Sequence, residues 1–279
     1  MGEILQCSSY MNDQANSLFL KGFMIIHLLP NWEELLSLTR PENWCPQAVY
    51  YATLQFLSSP HHHQLKSFLQ CVLLKQSLGF IRNHLFLDPY LNLALRRVMM
   101  VNPSLFCKVI LIPLCDGQQG GGCSLKEASL FGDIILKSYI PASSVANTLI
   151  SIAQLSDHHY FICHSVFIIL LLEKKVALPF RVLECLVHHF CSMNHQSKMP
   201  LLWYHSFYLF VEIYVHECVS EQKERLIETI QLVFHPQWST SIHQIISRTI
   251  YSSLDSCQQN DSTMMIEDDD STNWNLNSV

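Results

Sequence analysis

Apolar residues recur at helical spacing over most of the chain. In residues 226–234 and 242–250, leucine, isoleucine, valine and phenylalanine recur at separations of three or four, seven and eight positions. Because an α-helix completes a turn about every 3.6 residues, this spacing gathers the apolar side chains on one face. We find no convincing alternation of apolar and polar residues, which is typical of a half-buried strand. The pattern therefore predicts an all-α fold.

Two short motifs are typical of helix N-termini. Ser124 and Glu127 form the S-x-x-E capping box, and Asn31 and Glu34 form the similar N-x-x-E pattern. In a capping box each of the two side chains accepts a hydrogen bond from the backbone N–H of the other residue. Both motifs therefore predict the start of a helix.

Prolines mark further helix starts, because a proline in the first turn has no N–H to leave unpaired. These prolines are Pro89 after Asp88, Pro103 after Asn102, and Pro46, Pro141, Pro179 and Pro200. Together with the apolar pattern, the signals indicate about ten helices joined by short connections. We predict an irregular array of about ten antiparallel helices, similar to a helical-repeat solenoid.

Composition divides the chain into three parts. Residues 1–17 are polar and are predicted to form a flexible N-terminal segment, and residues 18–255 carry the helical pattern. Residues 256–279 combine few apolar residues with clustered acids, serine and asparagine, which favours a disordered acidic tail. The glycine-rich run at 116–122 is predicted to be a flexible swivel between helix pairs.

The chain is weakly acidic. Its formal net charge is −6, and the acids from Glu267 to Asp270 supply much of the excess. The body is therefore close to neutral and has no general attraction for nucleic acid. Any RNA contact has to come from small basic patches. Because 49% of the residues are hydrophobic and 14% are charged, we expect most of the chain to be closely packed.

The 11 cysteines show no CxxC pair and fall in apolar stretches, as at Cys71, Cys107, Cys163, Cys185 and Cys218. Buried free thiols in a reducing compartment explain this distribution better than disulfides do. The most apolar run, residues 166–172, is too short to span a bilayer, and residues 1–14 do not resemble a secretory signal. We expect a soluble intracellular protein.

No arrangement typical of an enzyme is present. Four possible metal ligands lie close together in sequence, namely His188, His189, Cys191 and His195. The adjacent histidines diverge by about 100° on a helix, so they cannot face one ion. There is no GxSxG motif, and the glycine run lacks the Lys-Ser/Thr of a phosphate loop. We predict no catalytic residue, metal, cofactor or small-molecule substrate.

Six basic residues, most of them near helix ends, are the candidate contact sites. They are Arg96, Arg97, Lys108, Lys174, Lys175 and Arg181. One interpretation is that these cations only complement the negative C-terminal ends of helices. The other is that they contact RNA phosphates or an acidic protein partner. The composition of the chain does not separate the two.

Residues 170–190 are predicted to join two packed helices. Lys174 and Lys175 end the first helix, and Pro179 begins the second. The second helix is expected to bury Val182, Cys185, Leu186 and His189, and to expose Arg181, Glu184 and His188.

Four long blocks resemble the bystin family. They are NWEELLSLTRPENWCPQAVYYAT (31–53), KVILIPLC (108–115), CSLKEASLFGDIILKSYIPASSVANTLISIA (123–153) and LLLEKKVALPFRVLECLVHHF (170–190). MPLLWYHSF (199–207) is similar in part. The blocks follow the order of the family and cover roughly residues 20–240.

The resemblance implies a non-enzymatic, all-helical factor in the assembly of the small (40S) ribosomal subunit. Such proteins bind snoRNA-containing pre-ribosomal particles in the nucleolus and accompany them towards the cytoplasm. The implied partners are pre-18S ribosomal RNA and the ribosomal proteins and assembly factors of the future head. No cofactor or membrane is implied. The six basic residues are then candidate contacts with RNA or with a partner.

Two departures from the family pattern leave an alternative open. Family members usually carry a long charged region before the helices, and they are richer in Arg and Lys over the segment matching residues 61–95. The chain is therefore expected to be a diverged paralogue, a shortened isoform or an incomplete gene model. The alternative function is a helical protein–protein adaptor that has lost ribosomal binding.

Overall fold

The computed structural model describes residues 29, 31–59, 61–117, 123–156, 160–192 and 199–264. These residues form twelve helices and no strand, so the predicted all-α class is confirmed. The helices are α1 (Trp32–Leu38), α2 (Pro46–Ser58), α3 (His62–Phe68, Leu69–Leu74 and Lys75–His84), α4 (Pro89–Val101), α5 (Pro103–Phe106, Cys107–Leu111 and Ile112–Asp116), α6 (Leu125–Lys137), α7 (Ala142–Ser156), α8 (Ile162–Leu172), α9 (Phe180–Ser192), α10 (Leu201–Tyr214), α11 (Ser220–Leu232) and α12 (Ser239–Met264).

The predicted capping signals are confirmed at three of four helices. Ser124 and Glu127 exchange both hydrogen bonds of the capping box, at 3.3 and 2.7 Å. The carboxylate of Asp88 accepts from the N–H of Tyr90, and the amide oxygen of Asn102 accepts from that of Leu105. The capping box at Asn31 is wrong. Helix α1 does begin at the next residue, but no side-chain cap forms.

Two of the helices contain a wider π turn in the middle, at Leu69–Leu74 of α3 and at Cys107–Leu111 of α5. The turn in α5 ends two residues before Pro113. A proline has no N–H to donate and its ring clashes with the carbonyl four residues before it, so a regular α-helix would be strained here. The wider turn lets α5 continue through the proline.

Helices two apart in chain order pack against each other. This gives an even row, α2, α4, α6, α8, α10 and α12, and an odd row, α3, α5, α7, α9 and α11. Contacts between the rows are present as well, for example from α7 to α8 and from α11 to α12. Two stacked rows are compatible with the predicted array of helix pairs.

Helix α8 lies at the centre of the even row and packs on α6 and α10. Nine of its eleven residues are buried. A helix that is apolar on every side is stable in water only when neighbours surround it. The apolar run at 166–172 is thus the core of the fold, and among the described residues no helix is both long and apolar enough to cross a bilayer.

Helix α9 buries the face that its sequence pattern predicts. Val182, Leu186 and His189 are buried and Cys185 is half-buried, while the three polar residues predicted to face outward are exposed. Phe190 stacks on Phe207 of α10 with 4.7 Å between the ring centroids. These contacts tie the odd row to the even row.

The structure describes the three predicted flexible segments only in part or not at all. Residues 1–17 lie outside the described residues, as do residues 118–122 of the glycine-rich run and 265–279 of the acidic tail. Helix α12 extends to Met264 and so covers residues 256–264, which were predicted to be disordered.

The five example cysteines are not all buried, because Cys71 is exposed and Cys185 is half-buried.

Candidate interaction surface

Side-chain bonds show how the even row is oriented. Arg96 in the last turns of α4 pairs with Asp133 in the last turns of α6. Lys174, just beyond α8, reaches the end of α6, and the hydroxyl of Tyr214 at the end of α10 donates to the carbonyl of Val176 beyond α8. These four helices therefore end at the same side of the molecule. We call this side the C-terminal edge.

Arg96 is held at this edge by neighbouring residues. Its guanidinium donates to Asn92 on the same helix at 2.8 Å and to Asp133 at 2.9 Å. Asp133 also pairs with Lys137 at 2.6 Å. A cation that bridges α4 and α6 in this way stabilises the packing of the two helices, and it is only partly available to a partner.

Lys174 has a structural role that the sequence did not indicate. Its ammonium group donates to the carbonyl oxygens of Leu136 at 3.0 Å and Ser138 at 2.8 Å. These carbonyls belong to the end of α6, so Lys174 caps a neighbouring helix rather than its own. Burial lowers the pKa of Lys174, and the nearby carboxylate of Glu173 partly offsets this.

The other predicted contact residues are exposed. Arg97 lies on the outer face of α4, and Lys175 and Arg181 flank the short connection between α8 and α9. Lys175 has a φ of +49°, which is unfavourable for a residue with a side chain. Lys108 is also exposed, but it lies on α5 in the odd row. The structure thus gathers Arg97, Lys175 and Arg181 at the C-terminal edge and keeps Lys108 apart.

The edge also carries residues that the sequence did not indicate. Lys137 is exposed there, and so are five large apolar side chains: Met100, Val101, Leu136, Tyr139 and Phe180. We call these five residues the apolar ridge. Each lies at or next to a helix end, off the core-facing stripe. Helical periodicity could have placed them outside the core, but it could not have placed them at the same side of the molecule.

The C-terminal edge and the buried histidines offer no obvious catalytic chemistry. His164 accepts a hydrogen bond at Nδ1 from the N–H of Phe161, and its Nε2 lies 3.1 Å from the carbonyl of Cys115. Both ring nitrogens are thus occupied by backbone groups, and neither is free to activate the adjacent thiol of Cys163. Burial lowers the pKa of His164 to about 4.

The two adjacent histidines of α9 face in different directions. His189 is fully buried next to Phe190, and His188 is exposed on the opposite face. The two side chains therefore diverge as the helical spacing predicts. His195 lies outside the described residues. Within the described part of the chain, no group of three or more potential ligands converges on a point that could hold an ion.

Comparison with known proteins identifies the family. The family model for bystin matches residues 6–255. The chain is 36% identical to bystin of Bos taurus over 231 residues, which is 82% of this chain and 52% of that protein. Bystin of Arabidopsis thaliana is 35% identical over 227 residues, 81% of this chain and 50% of that protein. The chain belongs to the bystin family.

The match bears on two of the predictions. The predicted resemblance to bystin is confirmed, and bystin is not a known enzyme family. The matched region also includes residues 6–17, which the sequence pattern had assigned to a segment before the helical domain. This bystin-family chain spans about half the length of the curated relatives it matches.

The different roles of Lys174 and Lys175 can be tested by substitution. We expect Lys174→Met to lower the free energy of unfolding by about 1 kcal/mol, because two carbonyl oxygens lose a charged donor. Lys175→Met is the matched control and should change stability by less than about 0.5 kcal/mol. Urea denaturation followed by circular dichroism measures both values. Equal losses in the two variants would contradict the capping role of Lys174.

Proposed function

We propose that this chain is a non-enzymatic assembly factor of the small (40S) ribosomal subunit, acting as an RNA- and protein-binding scaffold on pre-ribosomal particles. The observation that carries the proposal is membership of the bystin family over residues 6–255. The proposed role includes pre-18S ribosomal RNA processing. Its place is the nucleolus, with passage to the cytoplasm, and its partners are snoRNA-containing particles and the proteins of the future head.

The surface chemistry supports a scaffold. The described residues present exposed cations and exposed apolar side chains on a rigid core of packed helices. Rigid elements hold such groups at fixed spacing, so little conformational entropy is lost when a partner binds. Contacts between cations and phosphates would position the protein without reading base sequence. A scaffold needs this kind of surface and needs no reactive group.

Charge reversal provides the functional test. The triple variant Arg97→Glu, Lys175→Glu, Arg181→Glu removes the exposed predicted cations of the C-terminal edge and retains the structural pairs of Arg96 and Lys174. We expect it to shift from pre-40S fractions to free protein in a sucrose gradient, by about tenfold or more. Crosslinking to precursor small-subunit RNA should fall in parallel, because the variant leaves the particle whether these cations contact RNA or a protein partner.

A matched control separates local from general charge effects. Lys66, Lys126 and Arg248 are exposed elsewhere, on α3, α6 and α12. Their reversal to glutamate changes the net charge by the same amount and should leave sedimentation unchanged. If the unmodified chain sediments only in free, RNA-less fractions, the proposed ribosomal function is wrong. The chain would then be a helical adaptor that has lost ribosomal binding.

A further inference from the structure

The apolar ridge is unusually exposed for side chains of this size. Tyr139 is 84% exposed and Met100 is 70% exposed, and Val101, Leu136 and Phe180 are each about half exposed. Single exposed apolar residues are common on soluble proteins, whereas adjacent ones mark interaction sites. The question is therefore whether the five form a single surface.

Hydrogen bonds at the C-terminal edge indicate that they do. Arg96 pairs with Asp133, so Met100 and Leu136, about one turn further along α4 and α6, lie on neighbouring helices at the same height. Lys174 donates to the carbonyls of Leu136 and Ser138. The connection that follows α8 therefore begins next to Ser138 and Tyr139. It ends at Phe180, the first residue of α9. Helix axes in contact are about 8–10 Å apart, so the ridge spans about 20 Å.

Positive charge surrounds the ridge. Within the same stretch of α4, α6 and the connection to α9 lie six cations, Arg96, Arg97, Lys137, Lys174, Lys175 and Arg181. The carboxylates there are Asp133, Glu173 and Glu184. Cations thus exceed acids locally on a chain whose net charge is −6. The end of α10 at the same edge adds the exposed carboxylates of Glu212 and Glu217, so the positive excess is confined to the part of the edge around the ridge.

We propose that the C-terminal edge is a docking surface for an acidic protein segment that carries aliphatic or aromatic anchor residues. The anchors bury the apolar ridge, and the acids of the segment pair with Arg97, Lys137, Lys175 and Arg181. Complementary charge steers the partner, and buried apolar anchors supply most of the affinity. The proposal deepens the scaffold function proposed above by naming the kind of partner that this edge takes.

The aliphatic part of the ridge favours protein over RNA. Single-stranded RNA stacks its bases on aromatic rings and places its phosphates on cations. Tyr139 and Phe180 could serve RNA in this way. Met100, Val101 and Leu136 could not, because an aliphatic side chain offers no stacking face, yet they form more than half of the ridge. A protein segment buries all five side chains.

The first test is selection from a random-peptide phage library on the purified full-length chain. We expect the enriched peptides to combine acidic residues with leucine, phenylalanine or similar anchors. The double variant Tyr139→Ser, Phe180→Ser should weaken their binding by at least about tenfold, measured by fluorescence anisotropy of labelled peptides. Enriched peptides without acids, or peptides that bind the double variant equally well, would overturn the proposal, as would a failure to enrich any peptide.

Control variants test whether weaker peptide binding is specific to the apolar ridge, and fold measurements test whether the variants remain folded. Leu38 and Tyr251 are 77% and 67% exposed at other sites, and their replacement by serine should leave peptide binding unchanged. All substituted side chains are exposed, so circular dichroism and the urea midpoint should match the parent chain. Lys175→Glu with Arg181→Glu should weaken binding, and the loss should be smaller at high salt.

Binding of labelled oligouridine tests whether the C-terminal edge takes RNA instead of protein. If it binds the chain and the Tyr139→Ser, Phe180→Ser variant abolishes that binding while the selected peptides fail to compete, the edge is an RNA surface and the proposal is wrong. Sedimentation with pre-40S particles is measured separately. Peptide binding in a chain that does not sediment with particles would preserve the docking surface and reject the ribosomal function.

Discussion

Acidification from about pH 6.5 to pH 4 is expected to lower the free energy of unfolding by about 3 kcal/mol through His164 alone. Burial lowers the pKa of this imidazole from 6.5 to about 4. Its Nδ1 is also needed as the acceptor for the N–H of Phe161. Between these pH values the unfolded chain binds a proton that the folded chain does not, so stability falls as the pH falls.

His189 should add a contribution of similar size. Burial lowers its pKa to about 3, and the neighbouring histidines His164 and His188 reinforce the shift. The free energy of unfolding that neutral His189 contributes is fully present above pH 6.5, and it is lost as the pH falls towards 3. Together the two buried imidazoles make the fold markedly acid-sensitive, although the described residues contain few buried carboxylates.

Urea denaturation at a series of pH values checks this expectation. His189→Phe and His164→Gln should each flatten the dependence of the unfolding free energy on pH between 6.5 and 4, even if they lower stability at neutral pH. His188→Gln is the matched control, because that side chain is exposed on the adjacent position of the same helix. If neither buried-histidine variant changes the dependence of the unfolding free energy on pH, the acid sensitivity does not come from His164 and His189.

Gly132→Val is expected to destabilise the protein by about 3 kcal/mol, because this glycine of α6 packs against Leu170 of α8 and leaves no room for a side chain. A Cβ atom added to Gly132 would lie 2.7 Å from the Cδ1 atom of Leu170, well inside van der Waals contact. Leu170 is itself buried between helices and cannot turn outward without leaving a void. Valine adds two further carbons at the same point.

Gly79 is the matched control, because it also lies within a helix. A Cβ atom there would meet nothing within 4 Å. Gly79→Ala should therefore stabilise the protein by about 0.5–1 kcal/mol, since alanine loses less backbone entropy on folding. Gly132→Ala with Leu170→Ala tests the contact directly and should recover part of the loss relative to Leu170→Ala alone. Equal responses at the two glycines would show that Gly132 is not a packing position.

Signals within one or two turns of helix were predictable from the sequence. The capping box at Ser124, the caps at Asp88 and Asn102, and the buried and exposed faces of α9 were all predicted correctly. Each depends on residues that lie close together in the chain. The wrong prediction of a capping box at Asn31 also concerns local structure. The backbone angles of Asn31 do not bring its side chain over the helix end.

The candidate site was predictable only in part. Candidate cations could be chosen from the sequence, and Arg97, Lys108, Lys175 and Arg181 are indeed exposed. Nothing in the sequence indicated that Arg96 and Lys174 are engaged across helices, with partners 37, 38 and 36 positions away. The apolar ridge was missed for the same reason, because its members come from three separate segments.

The sequence by itself determined the all-α class, most helix starts, the inward face of α9 and membership of the bystin family. These depend on local backbone preferences, on the helical period and on long colinear blocks of residues. Only the tertiary structure decided which helix ends meet, and with them the C-terminal edge. Lys174 caps a neighbouring helix, and Gly132 of α6 lies against Leu170 of α8. Packing between distant segments creates these features, and no local pattern encodes the distance between them.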